Sequence, residues 1–122
     1  MEAPHKPKII KQFQNGDKLR LILWLQPELI YFQGHFHNFP VLPGVTELDW
    51  VIFYGQTLLN CPKVFAGMEM IKFQVPILPK STIELTLDWV QDKQKLYFKY
   101  MGATSKDDKQ YSSGRIMLVD NE

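Results

Sequence analysis

The sequence predicts an α+β domain in which an antiparallel sheet wraps around one long, buried helix. The residues from Thr46 to Leu59 are nearly all apolar and are long enough for about three to four helical turns. A helix that is apolar on almost every face must be covered by the rest of the domain. Several other segments alternate between apolar and polar residues, as half-buried strands do. These strands do not alternate with further helices, which favours a curled sheet over a βαβ architecture.

The composition is that of a folded domain without a strong charge. The chain has 122 residues, of which 45% are hydrophobic, and a formal net charge of +1. This length indicates a single domain over residues 1–122. Positive and negative charges nearly cancel, so the protein has no strong electrostatic field that would attract nucleic acid or anionic lipid. We therefore expect neither as a partner.

The cysteine content and the N-terminal residues are informative about the cellular compartment of the protein. Cys61 is the only cysteine, which excludes an internal disulfide and a Cys-based zinc site. No apolar run reaches membrane-spanning length, and residues 1–13 lack the apolar core of a signal peptide. We therefore expect a cytoplasmic protein. Residues 1–7 contain two prolines and predict a loose tail in which His5 is solvated.

Two strands are expected before the helix. The first runs from Ile9 to Phe13 and is followed by Asn15-Gly16-Asp17, a strong turn signal. The second, from Lys18 to Gln26, alternates cleanly, and its four leucines share one face. Pro27 ends this strand because proline cannot continue the hydrogen-bond ladder.

Four strands are expected after the helix. Their predicted ranges are Val64–Val75, Ser81–Val90, Lys95–Met101 and Gln110–Val119. The first should be irregular at Gly67, and we expect the four to form a meander. A sheet wrapped on one helix leaves an open edge and an apolar flank, which a second copy of the chain would cover.

Two residues are the main candidates for chemistry. His35 lies in a loop dense in glycine and proline, and Asp49 follows fourteen positions later in the otherwise apolar helix. A carboxylate in such surroundings is costly unless it has a partner or a role. A lone histidine and a lone carboxylate are nevertheless more often structural, so both interpretations stay open. Glu47 is expected on another helix face, exposed or at a subunit boundary, and His37 is the weaker histidine candidate.

Gly44, at the predicted helix start, adds a third chemical group. Its backbone N–H is one of the donors that a helix leaves unpaired, and it lies at the positive end of the helix dipole. A carbonyl oxygen bound there would be polarised. A base, an acid and this N–H together suit removal of a proton next to a carbonyl, with loss or gain of a nearby hydroxyl.

The sequence resembles a known family in three blocks. Residues 34–50, GHFHNFPVLPGVTELDW, resemble the signature of the hotdog-fold 3-hydroxyacyl-acyl-carrier-protein dehydratases, GHFPxxPVxPG followed by a helix carboxylate. Residues 72–79, KFQVPILP, and residues 112–115, SSGR, are similar to that family's second block and final-strand motif. The wording LPGVTELDW and the short length resemble the small ApeI-type proteins of bacterial aryl-polyene and related pathways.

The resemblance implies a hotdog fold and a homodimer with active sites shared between subunits. It assigns His35 as the base that removes the α-proton of a 3-hydroxyacyl thioester, and Asp49 of the other chain as the acid that protonates the departing hydroxyl. The Gly44 N–H would bind the thioester carbonyl. The resemblance requires no metal or redox cofactor, and the acyl chain would arrive on the phosphopantetheine of an acyl carrier protein.

Two further sets of residues are expected near the substrate. The candidates for lining an acyl tunnel are Phe36, Phe39, Pro40 and Leu42, for which ordinary core packing is the alternative. The candidates for contacting an acidic carrier protein or the pantetheine phosphate are Lys63, Lys72, Lys80 and Arg115. Surface cations are usually only solvated, which is the alternative for this second set.

Three positions depart from the family pattern. Phe53 stands where the family usually has glutamine, His37 replaces a proline, and Pro79-Lys80-Ser81 replaces Pro-Gly-Asp. These departures leave open a catalytically silent hotdog subunit. A hotdog acyl thioesterase is the other alternative, although the histidine loop argues against it.

Overall fold

A computed structural model of the chain describes residues 3–33 and 40–120, which form six strands and one α-helix. The elements are β1 Lys8–Asn15, β2 Lys18–Trp24, α1 Gly44–Leu58, β3 Val64–Phe73, β4 Thr82–Val90, β5 Lys95–Gly102 and β6 Gln110–Val119. Each predicted element is present, with ends that differ by at most a few residues. The predicted β1–β2 turn is also present, with Gly16 at a positive φ of 61°.

The strands form one antiparallel sheet in the order β1-β2-β4-β5-β6-β3. The predicted four-strand meander is therefore wrong for β3, although β4, β5 and β6 do follow one another. The chain leaves α1 and enters β3 at the far edge of the sheet, where β3 pairs with β6. Period-two patterning indicates which face of a strand is buried but not which strand lies beside it.

The two faces of the sheet are the ones that the sequence pattern predicts. Leu19, Leu21 and Leu23 of β2 are buried, and each of them lies opposite an apolar residue of β4. Four alternate positions of β4 are likewise buried: Ile83, Leu85, Leu87 and Trp89. This apolar face packs against α1 and forms the core.

The sheet covers one side of α1 and leaves the other side exposed. Trp50, Val51 and Tyr54 are buried, whereas Val45 is 74% exposed and Phe53 is 40% exposed. The expectation of a helix covered on every face is therefore wrong within this single chain, because one curled sheet reaches only one side of a helix. In the described part of the chain, no helix has the length and apolarity to cross a membrane.

β3 departs from regular pairing at two places. Its register with β6 shifts between Phe65 and Gly67, where Gly67 has a φ of 141°, so the predicted irregularity at this glycine is confirmed. A second shift lies between Glu69 and Lys72. These shifts bend the strand, which is how bulged strands follow a curved sheet.

The N-terminal tail is held against the fold and is not loose as predicted. Trp50 Nε1 donates to the His5 carbonyl at 3.1 Å, and the Ile30 N–H donates to the Pro4 carbonyl at 3.0 Å. Pro7 is buried, while the His5 side chain is exposed as expected. Prolines supply carbonyl acceptors without a donor of their own, which suits a segment that lies across other elements.

Candidate active site

The three sequence blocks meet at the N-terminal end of α1. The Leu42 N–H donates to the Ile77 carbonyl at 2.8 Å, which fastens the first block to the second. Phe73 of the second block pairs in register with Ser112 of the third. Segments that are far apart in the sequence are thus joined by direct contacts at one helix end.

Gly44 is the first residue of α1 and follows Pro43, which caps the helix. The Thr46 and Glu47 N–H groups both donate to the Pro43 carbonyl, at 3.0 and 3.2 Å. The N–H of a first helical residue has no acceptor within the helix, and no residue in the described part of the chain accepts a hydrogen bond from that of Gly44. A Cβ at Gly44 would lie 2.8 Å from the Phe73 ring, so a side chain at this position would require that ring to move.

Asp49 is exposed and lies on the side of α1 that faces away from the sheet. Glu47, in contrast, is only 3% exposed, so the expectation that it is exposed is wrong. Two residues correspond to about 200° of rotation around a helix, which places these carboxyl groups on opposite sides. In this single chain, the candidate acid is therefore exposed to solvent on the outward side of α1.

Glu47 takes part in a buried polar cluster under the first turn of α1. Ser112 Oγ donates to Glu47 Oε1 at 2.6 Å, and the Tyr100 hydroxyl donates to the Glu47 backbone carbonyl at 2.6 Å. Burial raises the pKa of Glu47 to about 7, although the hydrogen bond from Ser112 acts in the opposite direction. Near neutral pH this carboxyl group is therefore close to its midpoint of titration.

His35, Phe36 and Phe39 lie outside the described residues. The structure describes the residues on either side of them. Gln33 Nε2 donates to the Pro27 carbonyl at 3.0 Å before the segment, and Leu42 is fixed to Ile77 after it. Pro40 is partly buried and Leu42 is fully part of the core.

Phe53, which replaces the family's usual glutamine, lies one turn after Asp49 on the outward side of α1. Its ring packs edge-on against Tyr54 at 5.3 Å between centroids, and Lys6 Nζ lies 4.5 Å from its centroid. The N-terminal tail thus supplies a cation to the same side of the helix.

The four candidate cations do not form one patch. Lys72 and Arg115 line a groove of about 690 Å³ on the sheet face opposite α1, and Arg115 pairs with Glu69 at 3.2 Å. Lys63 Nζ donates to the Gln56 carbonyl near the C-terminal end of α1. Lys80 lies in the turn before β4, where its backbone N–H donates a hydrogen bond to the Leu25 carbonyl.

Sequence reasoning missed Tyr100 and the role of Ser112. Both are fully buried at inward positions of β5 and β6. The resemblance includes Ser112 only through the SSGR block and assigns it no partner. A polar residue at an inward position of a period-two strand is the signal that could have identified a buried partner, since buried polar groups are nearly always hydrogen-bonded.

Comparison with protein families gives one match over most of the chain. Residues 11–115 match the ApeI-like family, described as ApeI dehydratase. The chain is also 33% identical over 96 residues to the 3-hydroxyacyl-[acyl-carrier-protein] dehydratase FabZ of Clostridium perfringens, which covers 73% of this chain and 68% of that protein.

Solved structures agree with this assignment. A chain of the dehydratase heterocomplex ApeI:P from Xenorhabdus doucetiae is 39% identical, with a TM-score of 0.82 over 92% of this chain and 96% of that one. An uncharacterized protein from Erwinia carotovora subsp. atroseptica is 38% identical, with a TM-score of 0.84 over 93% and 96% of the two chains. Mouse thioesterase superfamily member 2, at 16% identity and a TM-score of 0.66 over 87% and 77%, shares the fold alone. The predicted hotdog fold is confirmed, and the chain belongs to the ApeI-like dehydratase family.

Proposed function

We propose that this protein dehydrates 3-hydroxyacyl thioesters, carried on an acyl carrier protein, to trans-2-enoyl thioesters. The observation that carries the proposal is the convergence of the three family blocks at the N-terminal end of α1. Gly44 and Asp49, five residues apart, both lie in the N-terminal half of α1, and His35 precedes Gly44 by nine residues in the sequence. The dehydratases that resemble this chain support the reaction class.

The proposed chemistry is a β-elimination with two proton transfers. His35 takes the proton from C2 while the Gly44 N–H stabilises the negative charge that develops on the thioester carbonyl. The C2–C3 double bond forms as the C3–oxygen bond breaks. Asp49 supplies the proton that converts the departing hydroxyl to water. His35 then holds one extra proton and Asp49 lacks one, and exchange with solvent restores both.

We further propose that the enzyme is a homodimer in which Asp49 acts with His35 of the second copy. The exposed position of Asp49 and the exposure of its apolar neighbours Val45 and Phe53 support an interface on this side of α1. No metal or redox cofactor enters the proposed reaction. Participation in fatty-acid-like or aryl-polyene-like biosynthesis in the cytoplasm remains part of the proposal.

Two observations bear on the proposed carrier protein. Its docking would involve the basic residues Lys63, Lys72, Lys80 and Arg115, of which Lys72 and Arg115 already share one groove. The same groove contains Lys18 and Lys99, so it would suit an acidic surface.

A second candidate function is that of a subunit in a mixed complex. The 39% identical match is a chain of the dehydratase heterocomplex ApeI:P, and Phe53 stands in this chain where the family usually has glutamine. In that case this chain would be inactive alone and would gain activity, or confer it, only when mixed with a different hotdog subunit.

The test is incubation of the purified protein with a trans-2-enoyl thioester, following enone absorbance and free thiol together. Reversible loss of absorbance without thiol supports the proposal, thiol release indicates a thioesterase, and no change in either contradicts activity of this chain alone. We expect His35→Ala and Asp49→Asn each to lower turnover by about 10²–10⁴-fold. Asp92→Asn, in the exposed turn after β4, is the matched control and should keep wild-type turnover.

A further inference from the structure

Glu47 is a buried carboxyl group that the proposed reaction does not use. It lies in the first turn of α1 and is 3% exposed. Two strands hold it, since β6 supplies the Ser112 hydroxyl to its side chain and β5 supplies the Tyr100 hydroxyl to its backbone carbonyl. A carboxyl group in a core is costly, so its retention at this position calls for a physical role.

The groups assigned to the reaction lie directly beside this anchor. Gly44 precedes Glu47 by three residues and Asp49 follows it by two, all within α1. The first turn of a helix lacks half of its hydrogen bonds and therefore depends on outside contacts to keep its position. Misplacement of a reacting group by about 1 Å can cost about 10²-fold in rate.

The surroundings of Glu47 are poor in positive charge. None of the salt bridges between described residues involves Glu47. The titratable groups acting on the cluster are Asp49 and Tyr54 of α1 and Tyr100 of β5, none of them a cation at neutral pH, while β6 contributes Ser112. Among residues 3–33 and 40–120, no positive charge therefore stabilises the ionised form, and burial raises the pKa of Glu47 to about 7.

We infer that neutral Glu47 is a positioning residue that holds the first turn of α1 on β5 and β6, so that Gly44 and Asp49 stay aligned for the reaction. This inference rests on the proposed dehydration. When Glu47 ionises, an unpaired negative charge lies between the helix and the sheet, and the first turn shifts away. Activity then falls although Glu47 never touches the substrate.

The activity test compares the pH profiles of wild type and Glu47→Gln, which keeps the shape of the side chain and cannot ionise. We expect wild-type kcat to fall about 30-fold between pH 6 and pH 8.5 through this group, because the neutral fraction decreases about tenfold per pH unit above the pKa. Glu47→Gln should lose that part of the decline. Glu84→Gln, at a half-buried carboxyl group paired with Arg20, is the control and should keep the wild-type profile.

Two more variants separate positioning from general stability. Ser112→Ala removes the hydrogen bond that lowers the pKa of Glu47, so the alkaline decline should move to higher pH. Tyr100→Phe removes the hydroxyl that binds the Glu47 carbonyl and should lower kcat at every pH without moving the decline. A merely structural role would give neither the shift nor this separation.

Hydrogen exchange gives a readout that needs no substrate. The Thr46 and Glu47 amides, which bond to Pro43, should exchange faster above pH 7 in wild type than in Glu47→Gln, relative to amides near Tyr54. If wild type lacks hydration activity but shows this difference, the proposed function fails and the anchoring by Glu47 stands. Identical exchange and identical pH profiles in wild type and Glu47→Gln would overturn the inference.

Discussion

Glu47 and Asp49 are carboxyl groups in the same helix, two residues apart, with opposite environments. Glu47 is 3% exposed and bound by Ser112 from the sheet, whereas Asp49 is exposed on the far side of α1. The sheet side of the helix fixes its place in the fold, and the outward side is available for chemistry and for another subunit. Both residues carry a carboxyl group. The side of α1 on which each one lies therefore separates the anchoring group from the candidate catalytic group.

The largest effect on folding is expected from Trp50, on the sheet side. Trp50 is fully buried and its indole binds the His5 carbonyl, so Trp50→Ala should lower the free energy of unfolding by about 3–5 kcal/mol. Phe53→Ala, at a 40% exposed aromatic on the outward side, should cost less than half as much in the isolated subunit. Denaturant unfolding at low protein concentration measures both, and equal losses would contradict the difference between the two sides.

A smaller effect is expected from the ionisation of Glu47. Folding raises its pKa from 4.5 to about 7, so the folded protein holds this proton more tightly than the unfolded chain does. The stabilisation is fully present below about pH 4.5 and is lost as the pH rises to about 7, a change of roughly 3 kcal/mol in the free energy of unfolding.

Glu47→Gln should lack this change. The measurement is the difference in unfolding free energy between wild type and variant at several values between pH 4 and pH 8. A constant difference across that range would mean that Glu47 titrates normally and would remove the contrast with Asp49.

The smallest effect on folding is expected from Val45, which is 74% exposed on the outward side. Val45→Asp should change the unfolding free energy of the subunit by only about 0.5 kcal/mol. It should nevertheless dissociate the proposed dimer, because it places a charge in an apolar contact. Sedimentation velocity measures the assembly, and Ser105→Asp in an exposed turn is the control. A dimer that survives Val45→Asp would exclude this side of α1 as the interface.

Much of the fold was predictable because period-two patterning reports burial directly. The inward leucines of β2 and the inward residues of β4 are buried as predicted. The place of β3 was not predictable in this way, because pairing with β6 depends on partners about fifty residues away in the sequence. The tail contacts of His5 and Pro4 also escaped prediction, since backbone carbonyls accept hydrogen bonds whatever the side chain.

For the site, the three family blocks were predictable from the sequence, but the side of α1 that faces the sheet was not. An apolar run with residues such as Val45 and Phe53 on one side and Trp50 on the other gives no clear sign of which side faces the sheet. The environment of Glu47 was therefore predicted wrongly. Its partner Ser112 lies 65 residues later, and only the folded chain brings the two together.

The crossing of β3 to the far edge has a consequence for folding during synthesis. β6 is the last of the six strands to leave the ribosome, and within the described residues it is the strand on which β3 pairs. Until β6 emerges, the backbone N–H and C=O groups of β3 have no strand to pair with and remain open to other chains. The sheet is therefore completed only after residues 110–119 have been synthesised, and a nascent chain that stops before them would leave β3 unpaired.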